Sequence, residues 1–496
     1  MPLKEIRYMA PKSIFRNTVF KLLLNICNII VPILVGPYIT RVLDKEVYGT
    51  YNAANAAFAI FLSIGSLGLY NYGMREISRV RDNKAAVDKL FSELLVISLI
   101  SNAIVSAAYI AYALLTTTGT TTLLYALFAI QFIGNAVYIE WVNEAMENYR
   151  FITVKTVIVR ALYVAAMFLF VRKGSDLLPY TLILSLTYTV NCLVSFFYVS
   201  RKIRISFHGL RLLPHLRPLL IVFIIMNVSV LFTQIDKIML GYFVGEVAVS
   251  VYQIPHYIMS MIYSLAVAVA AVSMPRLSNV LHAEGPDAFL RLHRNVSRSF
   301  LFLLFPACIG VFVLAREIIL LYGSAKYLEC VLPIALFALA YIPIAYTYLY
   351  GDVFLYVAGH ERILALFHLF GGVTNVALNF LLIGLKKFTV ETAIATLAVA
   401  FGVVMAACAL FIRFRLKVPC RLLDRYTVRY LLLSLTFLPL AWLIKQLHWG
   451  TVGTAGLTVV VCAGVYIGTL ILLKDQTVLA LLGRCRGPVA RLLHKK

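Results

Sequence analysis

The chain alternates long apolar runs with short polar breaks. At 1.5 Å of rise per residue, a bilayer crossing takes about 20 mostly apolar residues. Fourteen such runs are legible, over residues 19–39, 51–72, 90–115, 122–143, 152–171, 178–199, 219–244, 249–274, 299–322, 327–358, 363–385, 390–412, 428–444 and 453–473. The pattern predicts an all-α polytopic membrane protein with about 14 transmembrane helices.

Polar residues inside the runs recur at helical spacing. In the second run Tyr48, Asn52, Asn55, Ser66 and Tyr70 fall close to one stripe, and in the eighth Gln253, His256, Ser260 and Ser264 do the same. In the fifth, Thr153, Thr156, Arg160 and Tyr163 are spaced three, four and three apart. Such stripes face a hydrated cavity or join neighbouring helices, since Ser, Thr, Asn and Gln also bond helices together in membranes. Arg160 is the costliest member, because an arginine at bilayer depth costs at least about 2.5 kcal/mol and normally faces protein interior or water. It stands roughly 12 Å from the start of its helix. Asp236, in the outer half of the seventh run, is a candidate proton or sodium site, or else the partner of a basic residue on another helix. Lys237 and Lys21 are expected to snorkel to the interfaces. Glu140 and Asp352, near span ends, are expected to be exposed. His256 either titrates near neutral pH or serves as a hydrogen-bonding core residue.

A shift of 201 residues superposes two parts of the chain without a gap. YGTYNAANAAF (48–58) falls on VSVYQIPHYIM (249–259), pairing Tyr51 with Tyr252, Asn52 with Gln253 and Asn55 with His256. The same shift pairs Arg75 with Arg276, and a basic amphipathic loop follows each. Duplication is common in transporters, and the expected organisation is an N-terminal bundle over residues 1–200, a basic linker over 201–217, a second bundle over 218–418, and two accessory helices with a basic tail over 419–496.

Composition excludes a soluble domain: 61% of residues are hydrophobic and only 14% charged, with a mean hydropathy of +0.89. The net charge of +23 would suit nucleic acid if it were clustered on a soluble surface, but it follows topology instead. Counting Lys155, Arg316 and Arg429 with the loops they adjoin, thirty-three Lys and Arg fall on the side of the membrane that bears both tails and about nine on the other, while Lys21, Arg160 and Lys237 lie within runs. By the positive-inside rule both termini are cytoplasmic, and the basic side attracts anionic lipid rather than nucleic acid. MPLKEIRYMAPKSIFRNTVFK leads directly into a full-length run and is expected to be retained. The eight cysteines are scattered singly, so no disulfide framework or zinc site is implied. No Walker A sequence or G-x-S-x-G elbow occurs, and the loops are too short for an enzyme domain. These features point to a non-enzymatic transporter without a bound cofactor, with a proton or sodium ion as the possible coupling species.

WVNEAMENYRFITVKTVIVRALYVAAMFLFVRKGSDLLPY (141–180) resembles bacterial oligosaccharide flippases of the Wzx type, in which a Trp, a following Glu, an I-T-x-[KR] stretch and a membrane arginine recur at this spacing. NVALNFLLIG with ETAIATLAVA (375–400), PYITRVLDKEVYGTYNAA and DKIMLGYFVGEVAVSVYQIP resemble signatures of the wider multidrug, oligosaccharidyl-lipid and polysaccharide exporter superfamily. VNEAME replaces a more usual aromatic- and Gly-containing version, and ETAIAT lacks the G-A-A opening. The resemblance implies alternating-access transport of an undecaprenyl-pyrophosphate-linked oligosaccharide across the bacterial cytoplasmic membrane, alongside the glycosyltransferases and polymerase of its pathway. A lipid II flippase or teichuronic-type exporter, a cation-coupled multidrug exporter, and a membrane glycan polymerase are the competing classes. Arginine suits phosphate because its fork donates two parallel hydrogen bonds. Arg160, Arg75, Arg276 and Lys155 are therefore the expected pyrophosphate contacts. Asn52, Asn55, Gln253, His256 and Tyr70 are the expected cavity-facing groups, and Asp236 the expected ion-coupling residue. Tyr341, Tyr346 and Tyr348 offer rings for sugar faces.

Overall fold

The computed structural model describes residues 14–419 and 424–479. The predicted basic N-terminal flank, most of the basic C-terminal tail, and Cys420, Arg421 and Cys485 lie outside the described residues. Every regular element among the described residues is helical. The chain divides into two compact units, Met1–Ser250 and Val251–Lys496.

In the first unit the helices are α1 (Ile14–Val42), α2 (Lys45–Ser66), α3 (Leu69–Val80), α4 (Lys84–Thr116), α5 (Thr120–Ala136), α6 (Glu140–Ala145), α7 (Tyr149–Phe170), α8 (Leu177–Ser200) and α9 (Leu213–Phe243). α2 packs on α4, α5 and α9, α5 on α4 and α8, and α7 on α1 and α8. α10 (Glu246–Ala271) begins in this unit and runs into the second, where α11 (Met274–Ala283), α12 (Pro286–Val313), α13 (Ala315–Gly323), α14 (Val331–Tyr350), α15 (Glu361–Gly384), α16 (Val390–Leu410), α17 (Arg425–Leu435), α18 (Phe437–Lys445) and α19 (Gly450–Leu472) follow. α14 is the centre of this unit, packed against α12 and α16, while α17 and α18 lean on α12 and α19 on α13 and α18. Two π-helical turns, Gly351–Tyr356 and Phe411–Arg415, extend α14 and α16.

Twelve helical segments among the described residues have the length and hydropathy to cross a membrane. α1 and α9, 29 and 31 residues long, account for the other two of the fourteen predicted. The repeat also shows in the helix register: Lys45 and Glu246, the first residues of α2 and α10, are themselves 201 apart.

The second predicted span is not one helix. Leu67 and Gly68 both adopt the left-handed conformation, with φ of 46° and 70°, and separate α2 from α3. Glycine takes that conformation at little cost and leucine does not, so the Gly-Ser-Leu-Gly run at 65–68 supplies the permissive residue and its neighbour is carried along. The stripe predicted from Tyr48 to Tyr70 is therefore interrupted. Tyr70 lies on α3, whose face is set independently of α2.

Candidate functional site

A helix broken at membrane depth leaves carbonyls without their usual amide partners, and these must be satisfied by protein. Here α4 and α5 supply the donors. Asn102 Nδ2 and Ser101 Oγ reach Gly65 O at 3.1 and 3.0 Å. Asn135 Nδ2 donates to Asn102 Oδ1 at 2.7 Å, and Asn135 Oδ1 accepts from Ser66 Oγ at 3.2 Å and from Tyr188 OH at 3.0 Å. A Cβ on Gly65 would come 2.8 Å from Asn102 Oδ1, so a side chain there would displace that amide. Below the break, Gly73 of α3 makes a notch for Trp141. A Cβ there would stand 2.6 Å from the indole Cε3, and the indole N–H bonds Tyr138 O at 3.0 Å. The tryptophan of the W-x-x-E motif is thus a packing anchor, 2% exposed.

α7 carries three basic residues at five-residue intervals, Arg150, Lys155 and Arg160, and the structure treats the two inner ones differently. Lys155 is buried. Its Nζ lies 2.6 Å from Glu140 Oε2 and 2.6 Å from Ser195 Oγ, and Ser195 Oγ itself donates to Glu140 Oε2 at 2.5 Å. Glu140 is consequently not exposed, as its place near a span end had suggested. It is 8% exposed because α6 turns it inward against α7 and α8, where the ammonium neutralises it. Its Oε1, and both polar side-chain atoms of fully buried Asn143 one turn along α6, have no hydrogen-bond partner among the described residues. Arg160 is half-buried and has no hydrogen bond or ion pair to another described residue. It stands two turns beyond Thr153, on the same helical face. Thr153 Oγ1 donates to Phe20 O of α1 at 3.0 Å, which directs that face toward α1. Tyr163, next in the predicted stripe, instead lines an apolar groove between α7 and α8 with Leu162 and Leu182.

Asn52 is buried and returns its Nδ2 to Tyr48 O of its own helix at 2.6 Å, whereas Asn55 is half-buried. Arg75 is exposed on α3, bonded to Glu76 Oε1 at 3.0 Å and lying over the Tyr72 ring. Tyr70 stacks on Tyr138 with centroids 6.3 Å apart. Asp236 is fully buried in α9, and adjacent Lys237 is only 5% exposed. The expectation that Lys237 snorkels outward is overturned, because its Nζ instead bonds Gln234 Oε1 at 3.2 Å one turn back. On the loop before α8, Asp176 accepts the backbone N–H groups of Lys173 and Arg172, and these bonds hold its carboxyl below the ordinary range.

In the second unit Arg276 is exposed on α11. Gln253 is half-buried, with its Oε1 unpartnered among the described residues. His256 lies among rings, 5.4 Å from Phe337 and 6.0 Å from Tyr252 between centroids. Tyr341 and Tyr346 are buried. Asp352, expected to be exposed, is half-buried in the first π-helical turn. A polar cluster inside the NVALN and ETAIAT motifs joins α15 to α16: Thr396 Oγ1 donates to Asn379 Oδ1 at 2.6 Å, and Asn375 Oδ1 is buried without a partner among the described residues. Among the described residues no three His, Cys, Asp or Glu side chains converge on a metal site.

Helices of this length, carrying Lys155 paired with a carboxylate and Arg160 without a partner among the described residues, define a polytopic membrane protein built for more than anchoring. The chain belongs to the polysaccharide biosynthesis protein family, which it matches over residues 14–281. Two curated relatives are described as "Putative O-antigen transporter". One, from Shigella dysenteriae, is 20% identical over 374 residues, covering 74% of this chain and 92% of the relative. The other, from Escherichia coli K12, is 21% identical over 328 residues, covering 63% and 74%. Among solved structures, the lipid II flippase MurJ in an inward closed conformation aligns with a TM-score of 0.68 at 15% identity, covering 92% of this chain and 100% of that one. An inward-facing multidrug resistance MATE family transporter of the MOP superfamily aligns at 0.57 and 14%, covering 78% and 98%. These structural likenesses are of fold.

Proposed function

We propose that this protein is a flippase that carries an undecaprenyl-pyrophosphate-linked oligosaccharide from the cytoplasmic to the outer leaflet of the bacterial cytoplasmic membrane by alternating access, for surface polysaccharide synthesis. It transports and performs no chemistry on the glycan, working beside the glycosyltransferases and polymerase of the pathway. Both termini are cytoplasmic in this reading. Residues 1–200 and 218–418 are the repeated bundles, 201–217 the linker, and 419–496 an accessory pair of helices with its tail.

The observation that carries the reading is the contrast on α7. Lys155 has a buried carboxylate partner, and Arg160, in the same helix, has none among the described residues. An arginine held in a membrane helix without a counter-charge is costly, and a transiently bound pyrophosphate supplies that charge in the two-pronged geometry guanidinium prefers. Arg75 and Arg276, exposed at equivalent repeat positions, are proposed as loading contacts. Lys155 contributes there only if its bond to Glu140 opens. Asn52, Asn55, Gln253, His256 and Tyr70 are proposed to contact the glycan, and Asp236 to take up the coupling proton or sodium ion.

The test is delivery of lipid-linked glycan to the outer leaflet. Arg160→Ala should abolish delivery with the protein at normal abundance, and Arg160→Lys should retain part of it, since ammonium keeps the charge and loses the fork. A fully active Arg160→Ala protein would refute the proposal.

A further inference from the structure

Away from these residues, the second unit contains a cavity of about 490 Å³ between α12, α14, α16 and the start of α17. That volume lies within the roughly 300–1,000 Å³ of small-molecule sites. The cavity sits where α12 and α17 begin and where α14 and α16 end, so it opens at the side of the membrane that carries the basic loops. Arg294, Arg298 and Arg425 line it, opposed by one carboxylate, Asp424. Arg294 and Arg425 are exposed and make no ion pair with another described residue. Arg298 gives Nε and Nη2 to Asp424 Oδ2, each at 3.1 Å, and its guanidinium lies 3.8 Å over the Tyr426 ring. Two of its five donors are thereby spent and three remain. Asp424 is fully engaged in turn: its Oδ1 accepts the N–H groups of Tyr426 and Thr427 and the Thr427 hydroxyl, which caps α17.

Deeper in the cavity are two hydroxyls without a partner among the described residues. Tyr346 is 6% exposed, and its OH has no partner among the described residues. The same holds for Ser297 Oγ, although buried polar groups are almost always paired. Both π-helical turns among the described residues border the cavity, through Phe354 and Ile412. Such turns concentrate at functional sites. Donors outnumber acceptors on these walls, and the charge is positive. The ligand that fits is an anion with several acceptor oxygens. The apolar side chains interleaved with the arginines, and the position at the mouth of a transmembrane bundle, fit an amphiphile better than a free ion.

We infer that this cavity binds the phosphate headgroup of an anionic membrane phospholipid, with the arginines on the phosphate and the Tyr346 and Ser297 hydroxyls completing its hydrogen bonds. Basic pockets between transmembrane helices recognise lipid phosphates in this way. The inference does not depend on what the protein transports.

Lipid retention by the purified full-length protein tests it, with native mass spectrometry and thermal unfolding as readouts. Phosphatidylglycerol should be retained and raise the unfolding temperature, and zwitterionic phosphatidylcholine should do neither. Arg294→Gln with Arg425→Gln, both at exposed positions, should weaken phosphatidylglycerol retention about thirtyfold, since each near-surface cation is worth about fivefold. Tyr346→Phe keeps the ring and removes only the hydroxyl, and should weaken retention severalfold. Equal retention of the two lipids, or unchanged retention in the double variant, overturns the inference. So does protection by inorganic pyrophosphate alone, which would make the cavity a site for a soluble phosphate.

Discussion

Replacing Lys155 by Met should damage the fold rather than the handling of substrate, and the size of the effect follows from the geometry. Lys155 Nζ is 2.6 Å from Glu140 Oε2, with the two side chains 3% and 11% exposed. Removing the ammonium leaves a carboxylate inside the bundle with the Ser195 hydroxyl on one oxygen and no partner among the described residues on the other. Breaking one side of a buried pair costs about 3 to 5 kcal/mol, a fifth or more of the roughly 5–15 kcal/mol that holds a typical domain together. Lys155→Met should therefore lower abundance in the membrane and the denaturation midpoint of detergent-solubilised protein. Adding Glu140→Gln removes the stranded charge while keeping the shape, so the double variant should recover part of the loss, with a coupling energy of about 1 to 3 kcal/mol. Arg160→Ala, which breaks no pair with a described residue, should lose far less stability and serves as the internal contrast. A Lys155→Met protein as stable as the parent, or a double variant whose loss is the sum of the single losses, would refute the argument.

Gly73→Ala should destabilise by about 1 to 3 kcal/mol, because its methyl meets the Trp141 ring at 2.6 Å; unfolding of the solubilised protein measures this, and an unchanged midpoint would mean that the notch is not needed. Cysteines placed at Lys173, Lys326 and Lys387 should react with an impermeant reagent from outside, while those at Arg81 and Arg211 should not; the reverse pattern would invert the proposed orientation. Asp236→Asn should slow transport in reconstituted vesicles and remove its dependence on an ion gradient; retained dependence would return Asp236 to a structural role.

The helices were legible because hydrocarbon forces a simple rule on the sequence: long apolar runs broken by charge. That rule gives no account of what happens within a run. The break at Leu67 and Gly68 leaves hydropathy unchanged, and its supports, Asn102 and Asn135, read only as isolated polar residues in later spans. On α7 the depth and polar stripe of Arg160 set it apart in the sequence, but the carboxylate that occupies Lys155 sits on a short helix whose inward turn no periodicity announces. Asp352 and Lys237 were misplaced for a similar reason. Distance from a span end says how far a side chain is from water along the axis, not which way its helix face is turned. The Asn375, Asn379 and Thr396 cluster lies within motifs that were recognised, yet its hydrogen bonds emerge only when α15 and α16 are laid side by side.

The break between α2 and α3 has a consequence for the order of events as the chain is made. Gly65 O is satisfied by residues synthesised 36 and 37 positions later, and Asn102 in turn is held by Asn135. When residues 45–80 first enter the lipid none of these donors exists, and an open carbonyl in hydrocarbon costs several kcal/mol. An unbroken helix, in which the Leu69 amide would close on Gly65 O, avoids that cost. The bend should therefore be acquired once α4 has been inserted and has come alongside, with Asn135 of α5 then holding Asn102 in place. It belongs to the assembled unit, not to the segment that carries it, since the donors to Gly65 O come from residues 101 and 102 of α4.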